Sequence, residues 1–151
     1  MTLLRRQSSA DVCFEFPSGE EEVRKALCEL TKTLREMELS ADDIGSAEVV
    51  LGEVLNNIVE HAYGAGRSGR IAVCLHRARH ALRFHVLDEG EALPRARLPE
   101  GRLPALDGTL EEMPEGGFGW YLVHHIASDL AYKRTEGRNE LAFSIFCDGQ
   151  G

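Results

Sequence analysis

Between Ser40 and Gly64 the apolar residues Ile44, Ala47, Leu51, Val54, Leu55, Ile58 and Ala62 recur at helical spacing and form one continuous stripe. This predicts a helix over about 41–63, opened by Ser40 with Asp43 three residues on and stopped by Gly64. A helix with one long apolar face must bury it against another layer. The next segments supply that layer: Ile71, Val73 and Leu75, then Leu82, Phe84 and Val86, alternate around the turn-like Arg77-Ala-Arg-His80. Period-two alternation on both sides of a turn predicts a β-hairpin with one buried face.

The remaining chain extends the same pattern. Residues 12–16 alternate weakly and end at Pro17, as a short edge strand does. Ser18 precedes Glu20, Glu21 and Glu22, a capping hydroxyl followed by carboxylates, so a helix is expected over about 19–38 with Val23, Leu27, Leu30, Leu34 and Met37 inward. A third helix is expected from near Phe118, burying Leu122, Val123 and Ile126, and Ala131–Arg134 with Leu141–Phe146 predict a closing hairpin. Residues 91–116 hold Pro94, Pro99, Pro104 and Pro114 and no sustained periodicity, a stretch beyond the ordinary loop range of about 12–15 residues that is read as a functional lid. The order β-α-α-β-β-lid-α-β-β gives an α+β fold, a two-layer sandwich with about three helices on one face of a mainly antiparallel, mixed sheet. At 151 residues without repeats or linkers, the chain is read as one domain over 1–151.

Composition narrows the function classes. With 17 Lys+Arg against 25 Asp+Glu and a net charge of −8, a direct nucleic-acid binder is not expected. No apolar run approaches the roughly 18 residues of a membrane span, and the opening MTLLRRQSSA lacks a signal-peptide apolar segment. Cys13, Cys28, Cys74 and Cys147 show no Cys-x-x-Cys and no nearby His at ligand spacing. They are read as reduced, mostly buried thiols of a cytoplasmic protein, with neither a disulfide framework nor a zinc site expected.

Three clusters carry chemistry. Glu53, Asn57 and His61 follow one another at four-residue spacing and so share a helix face. Asn56-Asn57 in mid-helix is a poor local choice, since Asn competes for backbone hydrogen bonds. The row reads either as a solvated face with Glu60 or as a carboxylate beside a carbonyl oxygen, which suits a hard cation and a nucleophile's proton. Leu87-Asp88-Glu89-Gly90 ends an apolar strand in an acid and a glycine: a turn, or an ionised acceptor for an exocyclic amine with room for a flat ring. Glu115-Gly-Gly-Phe-Gly119-Trp120 opens a helix with a glycine-rich turn, a lid hinge whose free amides also suit phosphate. By contrast, Gly64-Ala-Gly-Arg-Ser-Gly69 matches a dinucleotide fingerprint in letters only, because it follows a helix and feeds a strand.

In this order, with a Pro/Gly-rich lid between the last two, the clusters resemble the nucleotide-binding boxes of the GHKL ATPase/kinase superfamily. The segment Glu53-Val-Leu-Asn-Asn57-Ile-Val-Glu-His61-Ala-Tyr63 is most similar to the anti-sigma factor serine-protein kinases of the RsbW, SpoIIAB and BtrW type. The resemblance implies the Bergerat ATP-binding fold, ATP/ADP and Mg²⁺ as cofactors, and a homodimer. It implies an anti-anti-sigma (STAS-domain) protein as phosphoacceptor and a sigma factor as the sequestered partner. It also implies Glu53 as the base, Asn57 as ligand of Mg²⁺, Asp88 as acceptor from the adenine amine, Gly90 as room for the ring, and Gly117 and Gly119 as sources of lid amides, with His61 and Trp120 in the same boxes. One departure stands out. Many relatives carry an arginine before the lid glycines, where this chain has Glu115-Gly116 and no Lys or Arg between Arg102 and Lys133. A nucleotide-gated binding module of the same fold therefore stands beside the kinase as an alternative.

If residues 91–116 act as a lid, nucleotide should protect them. Tryptic cleavage at Arg95, Arg97 and Arg102 is expected to be rapid in the ligand-free protein and slower with Mg-ATP; equal rates at saturating nucleotide would make the segment an ordinary loop.

Overall fold

The computed structural model describes residues 2–8, 11–64, 66–94, 98–99 and 117–147. Six strands form one sheet: β1 (Thr2–Ser8), β2 (Asp11–Pro17), β3 (Arg70–Arg77), β4 (Ala81–Asp88), β5 (Ser128–Thr135) and β6 (Arg138–Phe146). Their order across it is β1-β2-β3-β4-β6-β5, and every pairing is antiparallel, so the sheet is not mixed. Among the described residues there are three α-helices, α1 (Glu20–Glu36), α2 (Ala41–Asn57) and α3 (Gly117–Ile126). Alternate residues of four strands, among them Phe14, Val73, Phe84 and Phe143, are buried in one core with Leu30, Leu34, Leu51, Leu55 and Val123 of the helices. Phe84 and Phe143 are directly paired across β4 and β6, with ring centroids 5.0 Å apart.

Most expected elements stand where the periodicity puts them, and three details differ. The expected helix over 41–63 is α-helical only to Asn57 and continues as a π-helical turn, Ile58–Tyr63. Strand β1 was not expected; its TLLRRQS carries no two-residue alternation, and it is held by backbone pairing to β2. Ser40 caps α2 as expected, its Oγ accepting from the Asp43 amide at 3.1 Å. Ser18 does not cap α1. Gly19 takes the cap position without a side-chain bond, and Ser18 Oγ accepts instead from the Gly69 amide at 3.0 Å.

The cysteine expectation is also corrected. Cys13 and Cys74 stand opposite each other in the β2–β3 register, Cα to Cα 4.1 Å, and form a disulfide; Cys28 is exposed rather than buried. The 61 residues between the bonded pair hid the contact, because only strand register creates it. Most of the segment expected as the lid, residues 95–97 and 100–116, lies outside the described residues.

Tyr63 joins the end of the π-helical turn to two strands. Its hydroxyl donates to the Arg70 carbonyl at 2.7 Å and accepts from the Glu89 amide at 2.9 Å, and burial raises its pKa. Tyr63→Phe leaves both backbone groups without this partner. The expected loss in thermal or denaturant unfolding is about 1–3 kcal/mol; an unchanged midpoint would show that water replaces the hydroxyl at no cost.

Candidate functional site

The polar row of α2 and the acidic end of β4 meet at one contact. Gly90 packs so closely on Ala62 that a Cβ there would lie 2.6 Å from the Ala62 carbonyl carbon and oxygen, and the Glu91 amide donates to that carbonyl at 2.7 Å. Only glycine fits a backbone approach of this kind. The Gly90 expected to admit a flat ring thus also admits the helix.

Beside this contact lies a cavity of about 250 Å³, just under the roughly 300–1,000 Å³ common for small-molecule sites. Its lining includes Asn57, His61, Asp88 and Trp120 of the sequence-expected residues. Apolar Val54, Ile58 and Leu141 complete two walls, and Ala92, Leu93 and Pro94 supply another. Trp120 is 9% exposed and belongs to both cavity and core. His61 stands at the rim, mostly exposed, with Glu60 3.8 Å away.

Asp88 is the one buried carboxylate in the described core, 5% exposed. Its Oδ1 accepts from the Gly90 amide and from Asn139 Nδ2, both at 2.9 Å. Oδ2 takes no hydrogen bond among the described residues, so one acceptor oxygen is spare in a residue that lines the cavity. Burial raises the Asp88 pKa, opposed by the bonds from Asn139 and the Gly90 amide and by the nearby Arg134 charge.

Glu53 lies one helical turn from Asn57, against the first turn of α3. A Cβ on Gly119 would come within 2.1 Å of Glu53 Oε2, so the absence of a side chain at 119 is what seats this carboxylate. Among the described residues neither Glu53 nor Asn57 has a hydrogen-bond or ion-pair partner. Gly117 opens α3, as the glycine-rich turn predicts. Among the described residues, the Gly64–Gly69 motif contributes no lining residue to the cavity.

Sequence reasoning missed Tyr132, Arg134 and Asn139. Tyr132 and Asn139 line the cavity, and Arg134 donates to Asn139 Oδ1 at 2.8 Å and to the Gly90 carbonyl at 2.9 Å. The only local signal was an Asn and an Arg close to a turn, which reads as turn chemistry.

Three helices over an antiparallel sheet, with a cavity at the end of a central strand, define a domain of the two-layer α+β class. The chain belongs to the histidine kinase-like ATPase domain family, whose model it matches over residues 16–145. It is 33% identical over 92 residues to the serine/threonine-protein kinase BtrW of Bordetella bronchiseptica, a stretch covering 61% of this chain and 63% of that protein. It is 28% identical over 102 residues to the serine-protein kinase RsbW of Bacillus licheniformis, covering 67% and 64%. The match therefore spans just under two thirds of the length of both relatives. The crystal structure of the RsbU and RsbW domains of Rv1364c from Mycobacterium tuberculosis shares the fold, with a TM-score of 0.63 over 91% of this chain and 32% of that chain at 17% identity.

Asp88→Asn separates stability from binding. Because the folded pKa is raised, the folded protein holds the Asp88 proton more tightly than the unfolded chain does. The acid form's stabilisation is then complete below the unfolded value of about 3.8 and is lost as pH rises through the folded pKa. Asn keeps an acceptor for Gly90 and Asn139 without the charge, so the variant should melt higher than wild type at pH 7, with the gain vanishing in acid. Its new amide donor in place of Oδ2 should weaken adenine nucleotides by about 10- to 150-fold, the worth of a charged hydrogen bond. Calorimetry with ADP and melting curves at two pH values check both halves.

Proposed function

We propose that this chain is an ATP- and Mg²⁺-dependent serine-protein kinase and anti-sigma factor, acting on an anti-anti-sigma protein of the STAS type in a partner-switching circuit. On this reading residues 1–151 are one kinase domain with a lid at about 91–116, working in the cytoplasm as a homodimer. The observation that carries it is the spare Asp88 Oδ2 on a cavity shared with Asn57, with Glu53 one turn further along the same helix face. The similarity to RsbW and BtrW supports the reaction class.

Each residue has a chemical part. Asp88 accepts from the exocyclic amine of adenine; guanine, with a carbonyl there, sets acceptor against acceptor. Gly90 and Trp120 shape the base and sugar end, His61 stands at the rim, and amides near Gly117 and Gly119 face the phosphates at the start of α3. The donor set fits Mg²⁺: Asn57 offers an amide oxygen free of partners among the described residues, and this ion prefers a few oxygen ligands beside substrate phosphates. When bound, the ion neutralises charge on the phosphate chain. Glu53 takes the proton of the partner's serine as its oxygen bonds to the γ-phosphorus, while the bond from that phosphorus to the β,γ-bridging oxygen breaks and ADP leaves. Such transfers depend mainly on positioning and charge.

The alternative, a nucleotide-gated binding module, is favoured by Glu115 in the place of a lid arginine. Incubation with labelled ATP and candidate STAS partners separates the two, since only the kinase yields an acid-stable phosphoserine. Two variants then divide binding from chemistry. Asn57→Ala should abolish the Mg²⁺ dependence of ATP binding, and transfer with it. Glu53→Ala should bind Mg-ATP near normally and transfer about 10²- to 10⁴-fold more slowly, the range for a general base. Normal transfer by Glu53→Ala would remove the base assignment.

A further inference from the structure

Asn139 is a buried amide with every hydrogen-bonding position used. Its Nδ2 donates to Asp88 Oδ1 at 2.9 Å and to the Glu91 carbonyl at 2.8 Å, and its Oδ1 accepts from the Tyr132 hydroxyl at 2.6 Å and from Arg134 Nη1 at 2.8 Å. The charges around it fix which way the amide points, for turning it over would set its NH₂ against the guanidinium. The same three residues hold the segment that follows β4. Arg134 donates to the Gly90 carbonyl at 2.9 Å, and the Leu93 amide donates to the Tyr132 hydroxyl at 3.1 Å. Asp88 and segment 90–93 are therefore both anchored on the β5–β6 hairpin.

This arrangement constrains Asp88 in a way its own strand does not. A carboxylate is free to rotate about its last bond and to present either oxygen. With Oδ1 engaged by Asn139 and the Gly90 amide, only Oδ2 remains for a ligand, at a fixed orientation. Arg134 acts on the same carboxylate by charge and keeps its proton affinity below what burial alone would impose. We propose that Asn139, locked by Tyr132 and Arg134, is the positioning residue that orients Asp88 and so sets the discrimination between 6-amino and 6-oxo purines at this site. The inference rests on the adenine-nucleotide reading of the cavity and adds to it the residues that create its selectivity.

The test compares Mg-ADP with Mg-IDP, which differ at the purine 6-position. Wild type should prefer ADP. Asn139→Ala should reduce that preference at least about tenfold, the lower worth of a charged hydrogen bond, while the ratio of ADP to AMP affinities stays unchanged. Asn139→Asp retains the acceptor for Tyr132 and Arg134 but loses the donor to Asp88, so it should fail to restore the preference. Arg134→Met, at an exposed position, should lower the preference partway even if the Asn139 variants do not fold. ADP and IDP weakened equally across these variants would overturn the positioning role and leave the site reading intact. A wild-type protein that binds neither nucleotide would overturn the site reading itself, and the positioning role with it.

Discussion

The close approach of Gly90 to Ala62 is the contact on which the site depends. It is backbone against backbone, with the Glu91 amide donating to the Ala62 carbonyl at 2.7 Å, and it joins the end of the α2 helical run to the end of β4. Without it the Glu53–Asn57–His61 row and the Asp88 carboxylate would belong to separate layers. The π-helical turn at Ile58–Tyr63 serves the same junction. Its wider winding ends with Tyr63 bonded to both β3 and the residue after β4, which fixes the helix end over the strands. A second close approach, Gly119 on Glu53, does for α3 what Gly90 does for the sheet.

Much of this was legible in the sequence, and the reason is range. The apolar stripe of α2, the β3–β4 hairpin and the Ser40 cap are set by residues within a few positions of one another. Asp88 and Gly90 were legible because an acid and a glycine at the end of an apolar strand are a local anomaly. Asn139 and Arg134 were not, since their partners Asp88 and Gly90 lie 51 and 44 residues away and only the β4–β6 pairing brings them together. The Cys13–Cys74 bond was hidden in the same way, and the cysteine count misled because it ignored strand register. The π-helical winding leaves no signature in a 3.6-residue periodicity, and a strand as polar as β1 lacks the alternation that identifies one.

Asp88 shows how a binding site is held against the preference of the fold. Burial favours its neutral form, whereas the ionised form is the stronger acceptor for the amine in the proposed role. The opposing contributions come from Asn139, the Gly90 amide and Arg134, and two of these residues lie on the β5–β6 hairpin. That hairpin lies on the side of the sheet away from β2; its strand β6 gives Leu141, Phe143 and Ile145 to the core, and the hairpin also carries the groups that oppose protonation of the carboxylate. On the proposed reading, stability at this position is given up for recognition.

Commitment of Arg134 to the base end has a consequence for the phosphate end. The chain is net negative by eight charges, so its overall field repels a nucleotide polyanion. Arg134 is engaged with the Gly90 carbonyl and the Asn139 amide oxygen, and the sequence has no Lys or Arg between Arg102 and Lys133. On the proposed reading, the positive charge facing the terminal phosphate then comes chiefly from the cation at Asn57 and from amides at the start of α3. Binding energy is concentrated at the base, through a buried acceptor held by three side chains, and transfer depends on the metal more heavily than it would with a lid arginine present. On the proposed reading, such a site holds ATP mainly through the base and transfers its phosphoryl group slowly, as a partner switch that must persist in one complex would require.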